Sequence, residues 1–334
     1  MQDIAVIGAG SWGTALANLL AGKNLKVKLW ARRSELAEEI NTTHTNAHYL
    51  PNINLHPALY ATSDIEEALT CAEMVVFSVP AQSLRQVLGI AGPYLENNAI
   101  LVNTAKGIEV SSLKRLSEVM RQELPSWDVG RITVLSGPSH AEEVARNLPA
   151  AIVIAGVDRK NAEAVQDTFI NPRFRVYTNE DIIGVELAGA LKNIIALGTG
   201  FVDGLGFGDN AKAALMTRGI TEISRLGMRL GANPLTFAGL AGVGDLIVTC
   251  TSMHSRNRRA GIRLGQGQPL AKVLTEMGMV VEGVQTCVAA HLLAQQMGVE
   301  MPITSAIHGV LFEGLDPEEA VSDLMERDKR EESI

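Results

Sequence analysis

Cysteine is scarce in this chain of 334 residues, and the few cysteines are scattered. Cys71, Cys250 and Cys287 form no C-x-x-C pair and no Cys/His pairing that would suggest a metal or redox site. The pattern therefore predicts no metal and no redox centre. We expect all three to be buried, reduced thiols.

Positive charge is not in excess either. The chain has 29 Lys and Arg against 37 Asp and Glu, a formal net charge of -8. An acidic balance disfavours nucleic acid or an anionic membrane as the main partner. Any phosphate-binding arginines must then act locally.

Leader-like and membrane-spanning segments are also missing from the pattern. No basic n-region with an apolar h-region precedes the first predicted strand, so we expect no secretory leader. Lys192 and Asp245 interrupt the longest apolar stretches, which predicts no membrane insertion. With 46% hydrophobic and 20% charged residues, the composition is that of a globular protein, and we expect a cytoplasmic one.

The chain does contain a dinucleotide-binding fingerprint near its start. An apolar run, Ile4 to Ile7, leads into Gly8-Ala9-Gly10-Ser11-Trp12-Gly13, and a helix-like stretch follows. Gly8 allows the tight turn, Gly10 the approach of a pyrophosphate, and Gly13 close packing of helix on strand. Because a second strand, Leu25 to Trp30, follows at the usual distance, the sequence predicts a dinucleotide-binding site rather than a simple turn.

Two arginines occupy the position that selects between NAD and NADP. Where an NAD site usually has an acidic residue, this chain has Arg32-Arg33. Two guanidinium groups can hold a 2′-phosphate, and no carboxylate repels it. We therefore expect NADP(H) to be preferred, with NAD(H) as the alternative. Either arginine could instead only cap a solvent-facing loop.

The order of predicted elements indicates two domains. Strands and helices alternate up to about Asn179, which predicts a doubly wound, mostly parallel Rossmann sheet, and helical periodicity takes over afterwards. We predict a dinucleotide-binding domain over residues 1–180 and an all-helical domain over 181–334. Gly200 to Gly208 reads as a mobile loop, and Glu326 to Glu332 as a solvated charged tail.

Two charged residues stand in apolar surroundings in the helical half. Lys192 is the only charge among small and aliphatic neighbours, and Asp245 lies in a glycine-rich apolar run. A desolvated lysine amine titrates nearer neutrality, as a general base requires, and a buried aspartate needs a partner such as that amine. Alternatively, Lys192 extends to solvent and Asp245 caps a helix or turn.

A third group resembles an anion cradle. Ser255, Arg256 and Asn257 precede a helical stretch, where N–H groups, the helix dipole and a guanidinium fork can hold a phosphate. A basic helix start is more often a solvated face, so this segment alone does not identify a phosphate site.

Taken together, these segments resemble the bacterial-type NAD(P)-dependent glycerol-3-phosphate dehydrogenases. The resemblance runs through nearly the whole chain and is carried, in order, by GAGSWGTALA, VNTAKGIE, LSGPSHAEEV, ELAGALKNIIALGTG, AGLAGVGDLIVTCTS, SRNRRAG and VVEGVQT. It implies a Rossmann domain followed by a dimerising helical domain of the 6-phosphogluconate dehydrogenase-like plan. It also implies interconversion of sn-glycerol 3-phosphate and dihydroxyacetone phosphate, feeding glycerophospholipid synthesis in a cytoplasmic homodimer.

The resemblance also implies roles for individual residues. Lys192 would be the general base of the oxidation and the general acid of the reverse reaction. Substrate contacts would come from Lys106, Gly137, Ser139, Lys192, Asp245, Ser255, Arg256 and Asn257. Cofactor contacts would come from Ser11, Trp12, Arg32, Arg33, Tyr49, Lys106, Ala141, Arg256, Val280 and Glu282.

Two other functions fit parts of this pattern. A β-hydroxyacid or 6-phosphogluconate type dehydrogenase shares the domain plan and also uses a lysine, and its carboxylate site could imitate the Ser255 to Asn257 segment. A non-catalytic NADP(H) sensor would keep the first domain, but it needs no desolvated base such as Lys192.

Overall fold

A computed structural model describes residues 3–328, and one sheet of eight strands lies in the first half of the chain. In spatial order the strands are β3-β2-β1-β4-β5-β6-β7-β8, and all neighbours are parallel except β6 and β7. The strands are β1 (Asp3–Ile7), β2 (Lys26–Trp30), β3 (Tyr60–Thr62), β4 (Met74–Phe77), β5 (Ile100–Asn103), β6 (Ile132–Ser136), β7 (Ala150–Gly156) and β8 (Phe174–Asn179).

Helices cover both faces of this sheet. Ile4 and Val6 of β1 belong to one buried cluster, whereas Ala5 and Ile7 belong to another, because successive side chains of a strand point to opposite faces. The doubly wound prediction is therefore confirmed. The helices are α1 (Ser11–Ala21), α2 (Ser34–Thr43), α3 (Ile65–Leu69), α4 (Leu84–Ala91), α5 (Leu116–Glu123), α6 (Ala141–Ala145) and α7 (Arg159–Phe169).

The second half is helical around a third buried cluster, as the periodicity predicts. Its helices are α8 (Ile182–Leu205), α9 (Gly208–Arg229), α10 (Pro234–Phe237), α11 (Asp245–Thr251), α12 (Arg256–Gly265), α13 (Leu270–Met277), α14 (Glu282–Met297), α15 (Pro302–His308) and α16 (Pro317–Met325). Two π-helical turns, Leu240–Gly244 and Gly309–Glu313, precede α11 and follow α15.

The chain divides into two compact units, and the second is discontinuous in sequence. The first unit comprises the residues up to Ala105 together with Leu116–Ile182, and the second comprises Lys106–Arg115 together with the chain from Ile183 onward. An ion pair between Arg115 and Glu186, 2.7 Å long, ties the inserted segment to α8. The predicted two-domain boundary after residue 180 places this short segment in the first domain.

Two local predictions are wrong, and the first concerns a glycine-rich segment. Gly200 to Gly208 is not a loop, because α8 continues to Leu205. A Cβ on Gly200 would lie 2.3 Å from the carbonyl oxygen of Arg258, and one on Gly204 would lie 2.4 Å from that of Ile262. These glycines therefore serve close packing of α8 on α12 rather than mobility.

Other corrections concern a strand, a thiol and the chain ends. The sequence gives no signal for β3, which has only three residues. Cys71 is exposed rather than buried, while Cys250 and Cys287 are buried as expected. Residues 329–334, which include most of the predicted charged tail, lie outside the described residues.

Two helical stretches are long and apolar enough to cross a membrane. They are Ile182–Leu205, whose most apolar window is 89% buried within the chain, and Pro234–Thr251, where the share is 44%. The first stretch is mostly buried, and its Lys192 pairs with Asp245 of the second stretch. It therefore resembles the core helix of a folded protein. Length and hydropathy alone are weak evidence for a membrane span.

Candidate active site

The glycine-rich turn between β1 and α1 has the shape that its sequence predicts. Gly8 has φ +115°, and a Cβ there would lie 2.5 Å from the carbonyl oxygen of Ser78 on the neighbouring strand's end. A Cβ on Gly13 would lie 1.9 Å from the Gly8 carbonyl oxygen, whereas one on Gly10 would meet nothing within 4 Å. The turn is therefore closed on the strand side and open over the N-terminus of α1.

Polar and aromatic groups border this open turn. The Ser11 hydroxyl donates to the Tyr49 carbonyl oxygen at 2.6 Å, and the Arg33 guanidinium carbon lies 5.9 Å from the Tyr49 ring centroid. The indole N–H of Trp12 is buried without a hydrogen-bond partner among the described residues. Arg32 is exposed at the end of β2. A dinucleotide would meet an open helix N-terminus and two cations here, so the residues fit the cofactor.

Three further predicted site residues follow β6 in the same unit. Gly137 has φ +140°, and a Cβ there would lie 3.1 Å from the Cα of Ile152. The Ser139 hydroxyl donates to the Gly137 carbonyl oxygen at 2.8 Å, and Ala141 begins α6. This loop leaves the carboxyl end of the sheet, where ligands of doubly wound folds bind.

In the helical unit, two lysines converge on one aspartate. The Lys192 Nζ lies 2.5 Å from Oδ1 of Asp245, and the Lys106 Nζ lies 2.7 Å from Oδ2. The side chains of Asp245 and Lys192 are 1% and 6% exposed, and that of Lys106 is 19% exposed. Lys192 therefore does not extend to solvent, and Asp245, the first residue of α11, pairs with lysines rather than capping a turn.

The local chain conformation places these groups. Asp245 follows directly on the π-helical turn Leu240–Gly244, where a Cβ on Gly242 would lie 2.0 Å from the Phe237 carbonyl oxygen. Lys106 reaches the cluster because it opens the segment that joins the helical unit. Apart from its glycines, the π-helical turn has no signal in the sequence. The approach of Lys106 to Asp245 has none either, because the two residues are far apart along the chain.

The surroundings shift the titration of this cluster. Burial, together with the positive charge of Lys106, lowers the pKa of Lys192 from 10.5 to about 8, against the opposing effect of Asp245. Burial opposes ionisation of Asp245, but the two ammonium groups outweigh it and lower its pKa. The aspartate therefore stays charged, and Lys192 is the group that can release a proton near neutral pH.

Sequence reasoning missed one member of the cluster, Thr249. The Lys192 ammonium donates to the Thr249 hydroxyl oxygen at 2.5 Å, and this hydroxyl donates to the Asp245 carbonyl oxygen at 2.6 Å. Residues four apart on a helix share a face, so a helix prediction over α11 would have placed Thr249 beside Asp245. Thr249 thus fixes the direction of the Lys192 amine.

The predicted anion cradle lies at the N-terminus of α12. Ser255 caps this helix by accepting from the Arg258 N–H at 3.2 Å, and the Arg256 guanidinium donates to the Val280 carbonyl oxygen at 3.2 Å. Val280 is 44% exposed, and Glu282 is the first residue of α14. Ser255 and Arg256 thus form a polar border at the start of α12, and the bond from Arg256 to Val280 brings this border next to the start of α14.

Asn257 joins this border to the lysine cluster. Its amide donates to the Asn193 side-chain oxygen at 2.9 Å, and its oxygen accepts from the Gly283 N–H at 2.9 Å. Asn193 follows Lys192 on α8, and its amide lies 3.5 Å from the Lys106 carbonyl oxygen. The Asn257 side chain therefore links α8, through Asn193, to the start of α14, through Gly283.

A Rossmann unit with an open glycine-rich turn, combined with a helical unit that buries a proton-releasing lysine, defines the class of two-domain NAD(P)-dependent dehydrogenases. Residues 3–162 match the family described as NAD-dependent glycerol-3-phosphate dehydrogenase N-terminus, and residues 181–322 match its C-terminus. The chain belongs to the NAD-dependent glycerol-3-phosphate dehydrogenase family.

Relatives and solved structures agree with this assignment. Glycerol-3-phosphate dehydrogenase [NAD(P)+] of Pelotomaculum thermopropionicum is 59% identical over 329 residues, covering 98% of this chain and 94% of the relative. The Bacillus subtilis enzyme of the same name is 55% identical, covering 99% and 96%. The crystal structure of glycerol-3-phosphate dehydrogenase from Coxiella burnetii has a TM-score of 0.93 at 41% identity, covering 98% and 99% of the two chains.

Proposed function

We propose that this chain interconverts sn-glycerol 3-phosphate and dihydroxyacetone phosphate with an NAD(P) cofactor. The observation that carries the chemistry is the buried set of Lys192, Asp245 and Lys106, in which one amine can lose its proton near neutral pH. Membership of the glycerol-3-phosphate dehydrogenase family supplies the substrate class, a phosphorylated triose.

Lys192 is the general base of the oxidation. Its neutral amine takes the proton of the C2 hydroxyl, and NAD(P)+, when bound, supplies the hydride acceptor for C2. In the reverse direction the Lys192 ammonium protonates the oxygen of the reduced ketone. A base with a pKa near 8 is well matched to this proton transfer, which contributes on the order of 10²–10⁴-fold to such rates.

Asp245 and Lys106 support this exchange. While Lys192 is neutral, the Lys106 ammonium and the Asp245 carboxylate form a balanced ion pair, and proton uptake by Lys192 adds one positive charge beside the forming carbonyl oxygen. A fixed positive charge in a dry site stabilises a developing oxyanion. We assign Lys106 and Asp245 to substrate binding on this basis.

The phosphate group binds at the start of α12. Ser255 and Arg256 supply a hydroxyl and a guanidinium beside a helix N-terminus, which favours an anion. Asn257 contributes to substrate binding by holding Asn193 and the N-terminus of α14 in place. Gly137 and Ser139 complete the substrate contacts in this proposal.

The cofactor binds at the open turn after β1, and NADP(H) is preferred. The turn is formed by Gly8, Gly10, Ser11, Trp12 and Gly13. The Trp12 indole N–H has no acceptor among the described residues, which supports the binding of a ligand oxygen there. The remaining contacts are assigned to Tyr49, Lys106, Ala141, Arg256, Val280 and Glu282.

The basis of the NADP(H) preference is the end of β2. Arg32 and Arg33 are both exposed there, available to a 2′-phosphate, and neither position has the carboxylate that would select the free ribose hydroxyls of NAD(H).

We assign the activity to the cytoplasm, in a homodimer that does not insert into a membrane or bind nucleic acid. The proposed product, sn-glycerol 3-phosphate, is the backbone from which glycerophospholipids are built, so the enzyme feeds their synthesis. These assignments follow from the family plan and from the acidic composition, with its net charge of -8.

Initial rates of NADPH and NADH oxidation test the proposal. The full chain is assayed with dihydroxyacetone phosphate, with dihydroxyacetone and with a β-keto acid. We expect rapid turnover only with the phosphorylated ketone, and faster turnover with NADPH than with NADH. Turnover of the β-keto acid instead would favour a β-hydroxyacid dehydrogenase, and cofactor binding without any turnover would favour a sensor.

A Lys192→Ala variant tests the general base. We expect turnover to fall on the order of 10²–10⁴-fold, while Lys272→Ala, which removes an exposed lysine of α13, leaves it unchanged. Near-normal turnover by the Lys192 variant would contradict the mechanism.

A further inference from the structure

Two histidines and a glutamate meet on the helical unit, apart from the lysine cluster. His291 lies in the middle of α14, His308 ends α15, and Glu313 ends the π-helical turn that follows. The rings of His291 and His308 are stacked, with centroids 4.2 Å apart and planes 10° apart. His308 Nδ1 lies 3.0 Å from a carboxylate oxygen of Glu313.

The π-helical turn explains why the last two residues meet. His308 and Glu313 are five residues apart, the spacing at which a π-helix brings groups together, whereas an α-helix brings together residues three or four apart. Gly314, with φ +75°, ends the turn by donating its N–H to the Gly309 carbonyl oxygen. The carboxylate is thus held beside His308 by an uncommon backbone geometry, the π-helical turn Gly309–Glu313.

We propose that His291, His308 and Glu313 bind a divalent transition-metal ion of the Zn²⁺ class. One ligand atom from each of the three residues lies within 4.8 Å of the others. Two imidazoles and a carboxylate are a donor set that suits Zn²⁺, Co²⁺ or Ni²⁺ and does not suit Mg²⁺ or Ca²⁺, which prefer oxygen ligands. Three protein ligands leave one position for water.

The surroundings suit a metal ligand in two respects. Gln295 and Ser305 lie 2.8 Å and 3.4 Å from its two ring nitrogens, so either can orient the nitrogen that is not bound to metal. The Glu313 side chain is 63% exposed, which gives an ion a path from solvent.

Binding requires one local adjustment. Lone pairs of two stacked imidazoles lie in parallel planes, so at least one ring must rotate about its Cβ–Cγ bond to point at a shared ion. Rotation about this bond has a broad energy profile, and only two small rings must unstack, so the rotation costs little free energy. The ion would then link α14 to the end of α15.

Direct metal binding to the tag-free full-length chain tests this proposal. In equilibrium dialysis against ZnCl₂ we expect one ion per chain, and we expect its loss from a His291→Gln/His308→Gln variant. Glu313→Gln should weaken binding by about tenfold or more. MgCl₂ should not compete.

Two controls separate this site from other metal-binding groups. Cys71→Ser removes the exposed thiol, and His48→Gln removes an exposed histidine outside the cluster, so both should retain the ion. Bound Co²⁺ should show the visible absorption of nitrogen and oxygen ligands, without a thiolate charge-transfer band. Circular dichroism checks that each variant folds, and the exposed Glu313→Gln change serves alone if the double variant does not.

Two results would overturn the proposal. One is the absence of bound Zn²⁺ at micromolar concentrations in the wild-type chain. The other is unchanged affinity and stoichiometry in folded variants of the three residues. Neither outcome bears on the dehydrogenase activity, which rests on other residues.

Discussion

A buried carboxylate on α9 makes the stability of the helical unit depend on pH. Glu222 is only 3% exposed, and it accepts hydrogen bonds from the backbone N–H groups of Ile303 and Thr304, at 2.6 Å and 3.2 Å, at the start of α15. Burial outweighs these bonds and raises the pKa of Glu222 from 4.5 to about 7. The carboxyl group therefore stays protonated in the folded chain at a pH where it is ionised in the unfolded chain.

The direction of the effect follows from proton binding. Between about pH 4.5 and about pH 7 the folded state binds more protons at Glu222 than the unfolded state, so the free energy of unfolding falls as the pH rises. The contribution is fully present below pH 4.5 and is lost above about pH 7. At about 1.4 kcal/mol for each pH unit, the whole loss amounts to about 3.5 kcal/mol.

A Glu222→Gln variant removes this dependence, because glutamine does not ionise. Its stability relative to wild type should improve by about 2–3 kcal/mol between about pH 5 and about pH 8.5, since part of the loss has already occurred at the lower pH. Glutamine has one acceptor oxygen instead of two, so the variant also loses a hydrogen bond at the start of α15. This loss changes the free energy of unfolding of the variant by a similar amount at both pH values. The comparison across pH therefore isolates the ionisation.

Urea unfolding followed by far-ultraviolet circular dichroism measures this difference. All three tryptophans, Trp12, Trp30 and Trp127, lie in the first unit, so fluorescence would follow the other half of the chain. Glu319→Gln, which changes an exposed residue of α16, serves as the control. An equal stability difference between wild type and the Glu222 variant at both pH values would refute the reasoning.

Three further predictions concern catalysis and cofactor binding. Because the pKa of Lys192 is about 8, kcat/KM for glycerol 3-phosphate oxidation should rise with pH and level off above about pH 8, while that for ketone reduction falls. Arg256→Ala should raise the substrate KM more than it lowers kcat, whereas Arg263→Ala, at the other end of α12, should leave both unchanged. Gly13→Ala should destabilise the first unit by about 1–3 kcal/mol through its backbone clash, whereas Gly10→Ala should mainly weaken NADPH binding, as thermal unfolding and titration would show.

Different outcomes would count against each of these three. A flat pH profile would remove Lys192 as the titrating base. Unchanged steady-state kinetics of the Arg256 variant would remove the phosphate role. Normal NADPH affinity in the Gly10 variant would place the pyrophosphate elsewhere.

The first unit was largely predictable from sequence because its signals are local. Each buried strand is a short apolar run, and the glycines after β1 leave few alternatives for the turn. Glycine was misleading in α8, since Gly200 and Gly204 look like a loop in sequence and in fact allow close helix packing. Only the partner helix distinguishes these two uses of glycine, and that partner is distant in the chain.

The sites were predictable only in part, because they depend on contacts between distant residues. Lys192 and Asp245 could be recognised as charges in apolar surroundings, but that Lys106 pairs with the same carboxylate could not be derived from spacing. Thr249 required the boundaries of a short helix. His291 and His308 carry no motif, and their approach depends on how α15 packs against α14.

Lys106–Arg115 lies within the sequence of the first unit but folds as part of the helical unit, so the order of synthesis limits when the helical unit can be completed. During synthesis Lys106 leaves the ribosome long before Asp245 and Thr249, so the early part of the chain carries a segment whose partners do not yet exist. A fragment that ends after Ile182 would leave this segment without its unit, and a fragment that begins at Ile183 would have Lys192 and Asp245 without the second lysine. The gene therefore has no single cut that yields two self-sufficient halves, and the lysine pair forms only when most of the chain has been translated.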